Sequence, residues 1–104
     1  MTELEIIEKV RAQPGIYIGH KSLTAFVSFV GGYVEGLKVS GVDVIQDINS
    51  AMQEFIPTWY NIPNQYHWSR ILLLVCVTEE AAFEEYFRLL DLYLKGVDPI
   101  TRGV

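Results

Sequence analysis

The sequence predicts an all-α fold, a compact single-domain bundle of about five helices spanning residues 1–104. Three observations carry that expectation. Apolar residues recur at three- and four-residue spacing in most of the apolar segments, the period of one helix face. Hydroxyl side chains beside carboxylates stand where those segments open, and glycines or prolines stand where they close. Half of the 104 residues are apolar and 12% are aromatic, too rich for disorder and enough for one self-sufficient core.

The first helix opens with Thr2-x-x-Glu5, a capping box in which each side chain satisfies the other residue's free backbone N–H. Leu4, Ile6, Ile7 and Val10 share its inner side, and Pro14-Gly15 ends it. The stub Ile16-Tyr17-Ile18 then reads as a plug joining two helices to the core, with Gly19 freeing the backbone behind it. Tyr17 is expected to be largely buried, with its hydroxyl hydrogen-bonded.

Ser22 caps the second helix, whose inner face carries Leu23, Phe26, Val27, Val30, Val34 and Leu37. Gly31, Gly32 and Gly36 interrupt it, each costing up to ~1 kcal/mol relative to alanine. The expected compensation is close approach of another backbone, and Gly41 closes the helix.

A third segment runs from about Val44 to Tyr60 with Ile45, Ile48, Met52, Phe55 and Trp59 in register. Pro57 interrupts it and predicts a kink or a restart. The fourth begins near Trp68 after a loop containing Pro63. Its run is apolar nearly all round, as expected of an element covered on most sides, with Cys76 a small buried hydrophobe. Period alone leaves 69–77 open between a helix and a buried strand. Thr78-Glu79-Glu80 opens the fifth segment through capping and the helix dipole. Ala82, Phe83, Tyr86, Phe87, Leu89, Leu90 and Leu94 form its inner face, and Glu80, Glu84, Glu85, Arg88, Asp91 and Lys95 its outer one. Gly96 and Pro99 stop it.

Eight basic residues against thirteen acidic ones give a net charge of -5. Phosphate backbones repel such a chain, so no nucleic-acid partner is expected. The balance suits a basic protein partner, although mild acidity also serves solubility alone. A single cysteine forbids an internal disulfide. The acidic, periodic N-terminus is unlike a secretory signal, and no apolar run approaches the ~20 residues a membrane span needs. A cytoplasmic, non-membrane protein is expected.

His20 and His67 have no partner at metal-ligand spacing, and no nucleophile elbow, phosphate loop or dinucleotide fingerprint occurs. The adjacent carboxylates lack any sign of the burial that acid–base work requires. No enzyme activity, cofactor or metal is expected. Tyr60, Tyr66, His67 and Trp68 cluster about Pro63, either as contact aromatics or as a satellite core. Trp68 reads as core, whereas Tyr60 and Tyr66 stay open.

Two resemblances follow from "EKVRAQPGIYIG", residues 8–19. It resembles the Arg-x-Arg-Pro-Gly-Met-Tyr-Ile-Gly segment of DNA gyrase B-subunit ATPase domains, but no Asp-x-Gly-x-Gly follows anywhere, which excludes that ATPase. Over most of its length the chain resembles small bacterial immunity proteins of polymorphic or contact-dependent growth inhibition toxin systems. The carriers are the Pro14–Gly19 corner, the helix from Ser22 to Tyr33, Trp68-Ser69-Arg70-Ile71-Leu72, and the closing run from Glu80 to Leu90. That resemblance implies a continuous third helix, which Pro57 would break. It also implies neutralisation of a cognate toxin by occluding its active site, the acidic surface mimicking phosphate if the toxin is a nuclease. The contact groups would be Asp43, Asp47, Glu54, Glu79, Glu80, Glu84 and Asp91, joined by Tyr60 and Tyr66. The alternative is a helical protein–protein interaction module, possibly a homodimer, so the choice of monomer or dimer stays open. A small-molecule-binding helical domain comes third and would require a cavity.

Overall fold

The computed structural model describes residues 2–42 and 47–103, and these form helices with no strand among them. The order is α1 (Glu3–Ala12), α2 (Pro14–Tyr17), α3 (Leu23–Val39), α4 (Ile48–Tyr60), α5 (Trp68–Cys76) and α6 (Glu79–Leu94). The five longer helices match the five expected; α2 is the single turn that makes the Pro-Gly corner. None of these helices is long and apolar enough to cross a membrane.

α6 lies at the centre, packed against α3, α4 and α5, while α1 packs on α3. The reason is its inner face, where Ala82, Phe83, Tyr86, Phe87, Leu89 and Leu90 are all buried. Phe26 of α3 enters this face, with ring centroids 5.9 Å from Phe83, 4.8 Å from Tyr86 and 5.4 Å from Phe87. Tilted and edge-on aromatic contacts of this kind add about 0.5–1.5 kcal/mol each beyond area burial.

The helix ends follow local chemistry. Thr2 and Glu5 form the reciprocal capping box, and the side chains of Ser22, Asp47, His67 and Thr78 each accept a first-turn N–H of the helix they precede. Three C-termini close with a left-handed residue and a six-residue backbone bond: Val42 to Leu37 across Gly41, Ile62 to Pro57 across Asn61, and Val97 to Leu92 across Gly96. Two further caps cross between helices. Glu3 of α1 accepts the N–H of Ile48 at the start of α4 at 2.7 Å, and Glu79 of α6 accepts that of Thr24 at the start of α3 at 2.8 Å.

Several expectations change. Residues 69–76 of the open segment are helix and Val77 ends it, and the run is covered on one side only: Trp68, Ile71 and Leu72 are buried, while Leu74 is 79% exposed and Val77 81%. α4 runs uninterrupted through a buried Pro57, which sits in the last turn and whose carbonyl accepts the closing bonds from Asn61 and Ile62. Residues 43–46, which include the expected start of that helix, lie outside the described residues. No backbone approaches Gly31, Gly32 or Gly36; a Cβ added to any of them meets nothing within 4 Å. Tyr17 is half-buried against Phe29, centroids 6.1 Å apart, and its hydroxyl makes no hydrogen bond among the described residues. Ile16 points outward, so Tyr17 and Ile18 alone form the plug. Leu94 and Cys76 are likewise less covered than their positions in the pattern implied.

Candidate interaction surface

Most of the acidic candidates turn out to hold the molecule to itself. Asp91 receives a two-pronged contact from the Arg11 guanidinium, Nη1 to Oδ1 at 2.7 Å and Nη2 to Oδ2, which ties α6 to α1. Hydrogen bonding from Arg11 keeps the Asp91 carboxyl below the usual range. Arg11 also lies over the Phe87 ring, 5.2 Å from its centroid. Glu79 accepts three bonds, from the Thr24 N–H, the Thr24 hydroxyl and the Ser22 hydroxyl, and these depress its pKa. Asp47 is spent on the N–H and hydroxyl of Ser50, at 2.9 and 2.8 Å, with the same effect. Glu84 pairs with Lys21 at 3.1 Å, an exposed contact worth about 0–1 kcal/mol.

Of the aromatic candidates, Tyr60 is turned inward and its hydroxyl donates to Glu85, which in turn grips Arg88 through bonds of 2.6 and 2.7 Å. Burial, then the bond to Glu85, pushes the Tyr60 phenol well above its ordinary value. Trp68 is core, as expected, with its indole N–H donating to Asn49 at 2.9 Å. Gln53 fixes the loop ahead of it, its amide donating to the carbonyls of Asn64 and Tyr66 and accepting the Trp68 N–H. Tyr66 is thereby held with its ring exposed. Together with Glu54 on α4 and Glu80 on α6, it remains open to a partner; all three side chains are exposed and unengaged among the described residues. Asp43 lies outside the described residues.

A feature that sequence reasoning missed lies at the α5–α6 elbow. Leu74, Val75 and Val77 expose three apolar side chains within four residues, immediately before Glu79 and Glu80. Val77 has φ 71° and ψ −42°, and the Thr78 N–H bonds back to the Cys76 carbonyl at 2.8 Å. That is a γ-turn of the rare, strained hand, centred on a β-branched residue. Strain of this order, about 1–3 kcal/mol, persists only where the surroundings impose it, and such positions concentrate at functional sites. The signal available in sequence was the short helix itself: one buried stripe of α5 leaves 74 and 77 on the far side.

No group of three or more potential metal ligands occurs among the described residues. His67 spends Nδ1 on the cap of α5, accepting the Ser69 N–H at 3.2 Å. No protein-family model, curated protein or solved structure matches the chain.

Proposed function

We propose that this chain works by binding another protein rather than by catalysis, as an immunity protein that occludes the active site of a cognate bacterial toxin. The observation that carries the reading is the elbow: exposed Leu74, Val75 and Val77 on a strained turn, with the open carboxylate of Glu80 just beyond. Apolar anchors beside a charged rim are the make-up of a binding hot spot. A net charge of -5 favours encounter with a basic face, such as that of a nuclease. Interlocking caps and the Arg11–Asp91 clamp hold the helices rigidly, which lowers the entropy cost of association. The toxin class comes from the resemblance of the Pro14–Gly19 corner and the 68–72 and 80–90 runs.

The test is co-purification with the product of the gene upstream of this one. A complex of about nanomolar affinity, rescue of cells expressing the toxin module, and loss of both with Leu74→Asp or Val77→Asp are expected. Absence of binding and of rescue would sink the reading. The same exposed elbow also favours a second reading, self-association. Light scattering that finds a dimer, dissociated by Leu74→Asp, would put a homodimeric interaction module in place of the first.

A further inference from the structure

At the other end of α5 from the elbow, α1, α3, α4, α5 and α6 line a half-open cavity of about 390 Å³. Its volume falls within the roughly 300–1,000 Å³ of small-molecule sites. We propose that this cavity binds a small protonated amine carrying an apolar body, its ammonium held between Glu3 and the hydroxyl of Tyr86.

Tyr86 is the first reason. It is 2% exposed, it lines the cavity, and its hydroxyl has no hydrogen-bond partner among the described residues. Among the described residues no side-chain polar atom sealed from solvent lacks a partner, so this hydroxyl is reached by solvent, and the open space beside Tyr86 is the cavity it lines. The same face of α6 uses phenylalanine at 83 and 87. A phenylalanine at 86 would pack as well, because the hydroxyl makes no hydrogen bond among the described residues. Nothing among the described residues engages the hydroxyl.

Charge is the second. Among the described lining residues, Glu3, Glu35 and Asp47 stand against one ammonium, that of Lys38. Asp47 is engaged as a cap, and Glu3, 4% exposed, faces the first turn of α4 through Ile48 and Asn49 while its carboxylate still lines the cavity. An anion entering here meets a buried carboxylate, whereas a cation adds to the helix N–H groups and the Lys38 ammonium that already act on it. The walls add π surface, with the Trp68 and Tyr86 rings 4.8 Å apart and Phe26 also 4.8 Å from Tyr86. Val27, Val30 and Val34 of α3 line the cavity beside them and would take the ligand's apolar body.

The probe is phenethylamine, set against phenylacetate and 2-phenylethanol as anionic and neutral ligands of equal size. In calorimetry and amide-detected NMR on the whole chain, the amine should bind at least about tenfold more tightly than either, a difference of about 1.4 kcal/mol. The shifts should centre on Val30, Gly31, Asn49 and Trp68. Tyr86→Phe should weaken binding severalfold while leaving the melting temperature in place, because the hydroxyl has no partner to lose. Glu3→Gln, which keeps an acceptor for Ile48, should weaken it further. Gly31 lines the cavity with empty space where a Cβ would stand, so Gly31→Leu should abolish binding in a folded protein. Equal binding of the acid or the alcohol, no amine binding, shifts elsewhere, or full binding by Gly31→Leu would each overturn the assignment.

Discussion

Glu79, the first residue of α6, accepts the backbone N–H of Thr24, the second residue of α3, at 2.8 Å. One carboxylate thus completes the N-terminus of a helix 55 residues earlier in the chain while lying in the first turn of its own. Both placements put negative charge at a positive helix end. Glu79→Ala should destabilise the protein by about 1 kcal/mol, the usual loss for a capping side chain. Urea unfolding would show it as a lower midpoint at constant slope; an unchanged midpoint would remove Glu79 from the stabilising set.

Acid should weaken the fold through the same groups. The folded-state pKa values of Asp91 and Glu79 are depressed by their hydrogen bonds. Their contributions are therefore complete above the unfolded carboxylate values of 3.8 and 4.5 and are lost as pH falls through the lower folded ones. Glu3 runs the other way: burial raises its pKa, so its contribution is complete below 4.5 and declines as pH rises through the folded value. Melting temperatures measured from about pH 7 to pH 2 should show an acid limb that the double variant Asp91→Asn, Glu79→Gln flattens. A limb of unchanged steepness would place the acid sensitivity elsewhere.

Gly32→Ala and Gly36→Ala should each raise stability, by up to ~1 kcal/mol, because both lie inside α3 with open space at the Cβ position. Gly41→Ala should lower it, since φ there is +80° and the residue makes the turn that ends α3. Thermal melts of the three variants separate the two kinds of glycine, and a destabilised Gly36→Ala would point to a close neighbour after all.

Val77 should be worth more to a partner than to the fold. Val77→Gly releases the positive φ and should stabilise by about 1 kcal/mol, the lower end of the strain expected there. Val77→Asp, at an 81% exposed position, should leave the circular dichroism spectrum unchanged while removing the proposed partner binding. Loss of helical signal in Val77→Asp, or a destabilised Val77→Gly, would mean the valine is needed for packing.

Much of this fold can be read locally. Thr2, Ser22 and Thr78 cap the helices their positions suggested, and the stripes on α1, α3 and α6 face inward because their period admits one buried side. α5 could not be read in that way. A run such as Ile71 to Val77 says that the chain is apolar but not how many neighbours arrive, and α5 is left with one face uncovered. The cross-helix caps were hidden for a related reason. Glu3 and Ile48, or Glu79 and Thr24, share no local spacing and meet only once the helices have docked. Tyr17 shows the same limit at one residue: its place at the corner is legible, but the partner expected for its hydroxyl depended on the surroundings, which supply none among the described residues. The open candidates Glu54, Tyr66 and Glu80 look no different in sequence from Asp91, which is clamped by an arginine 80 residues away.

The central position of α6 has a consequence for synthesis on the ribosome. Residues 79–94 emerge after every helix they organise, so α1, α3, α4 and α5 enter the cell with their shared inner surface uncovered. Phe26 waits for Phe83 and Tyr86, and Thr24 waits for Glu79. The nascent chain is then an exposed, aggregation-prone client for chaperones until α6 clears the exit tunnel.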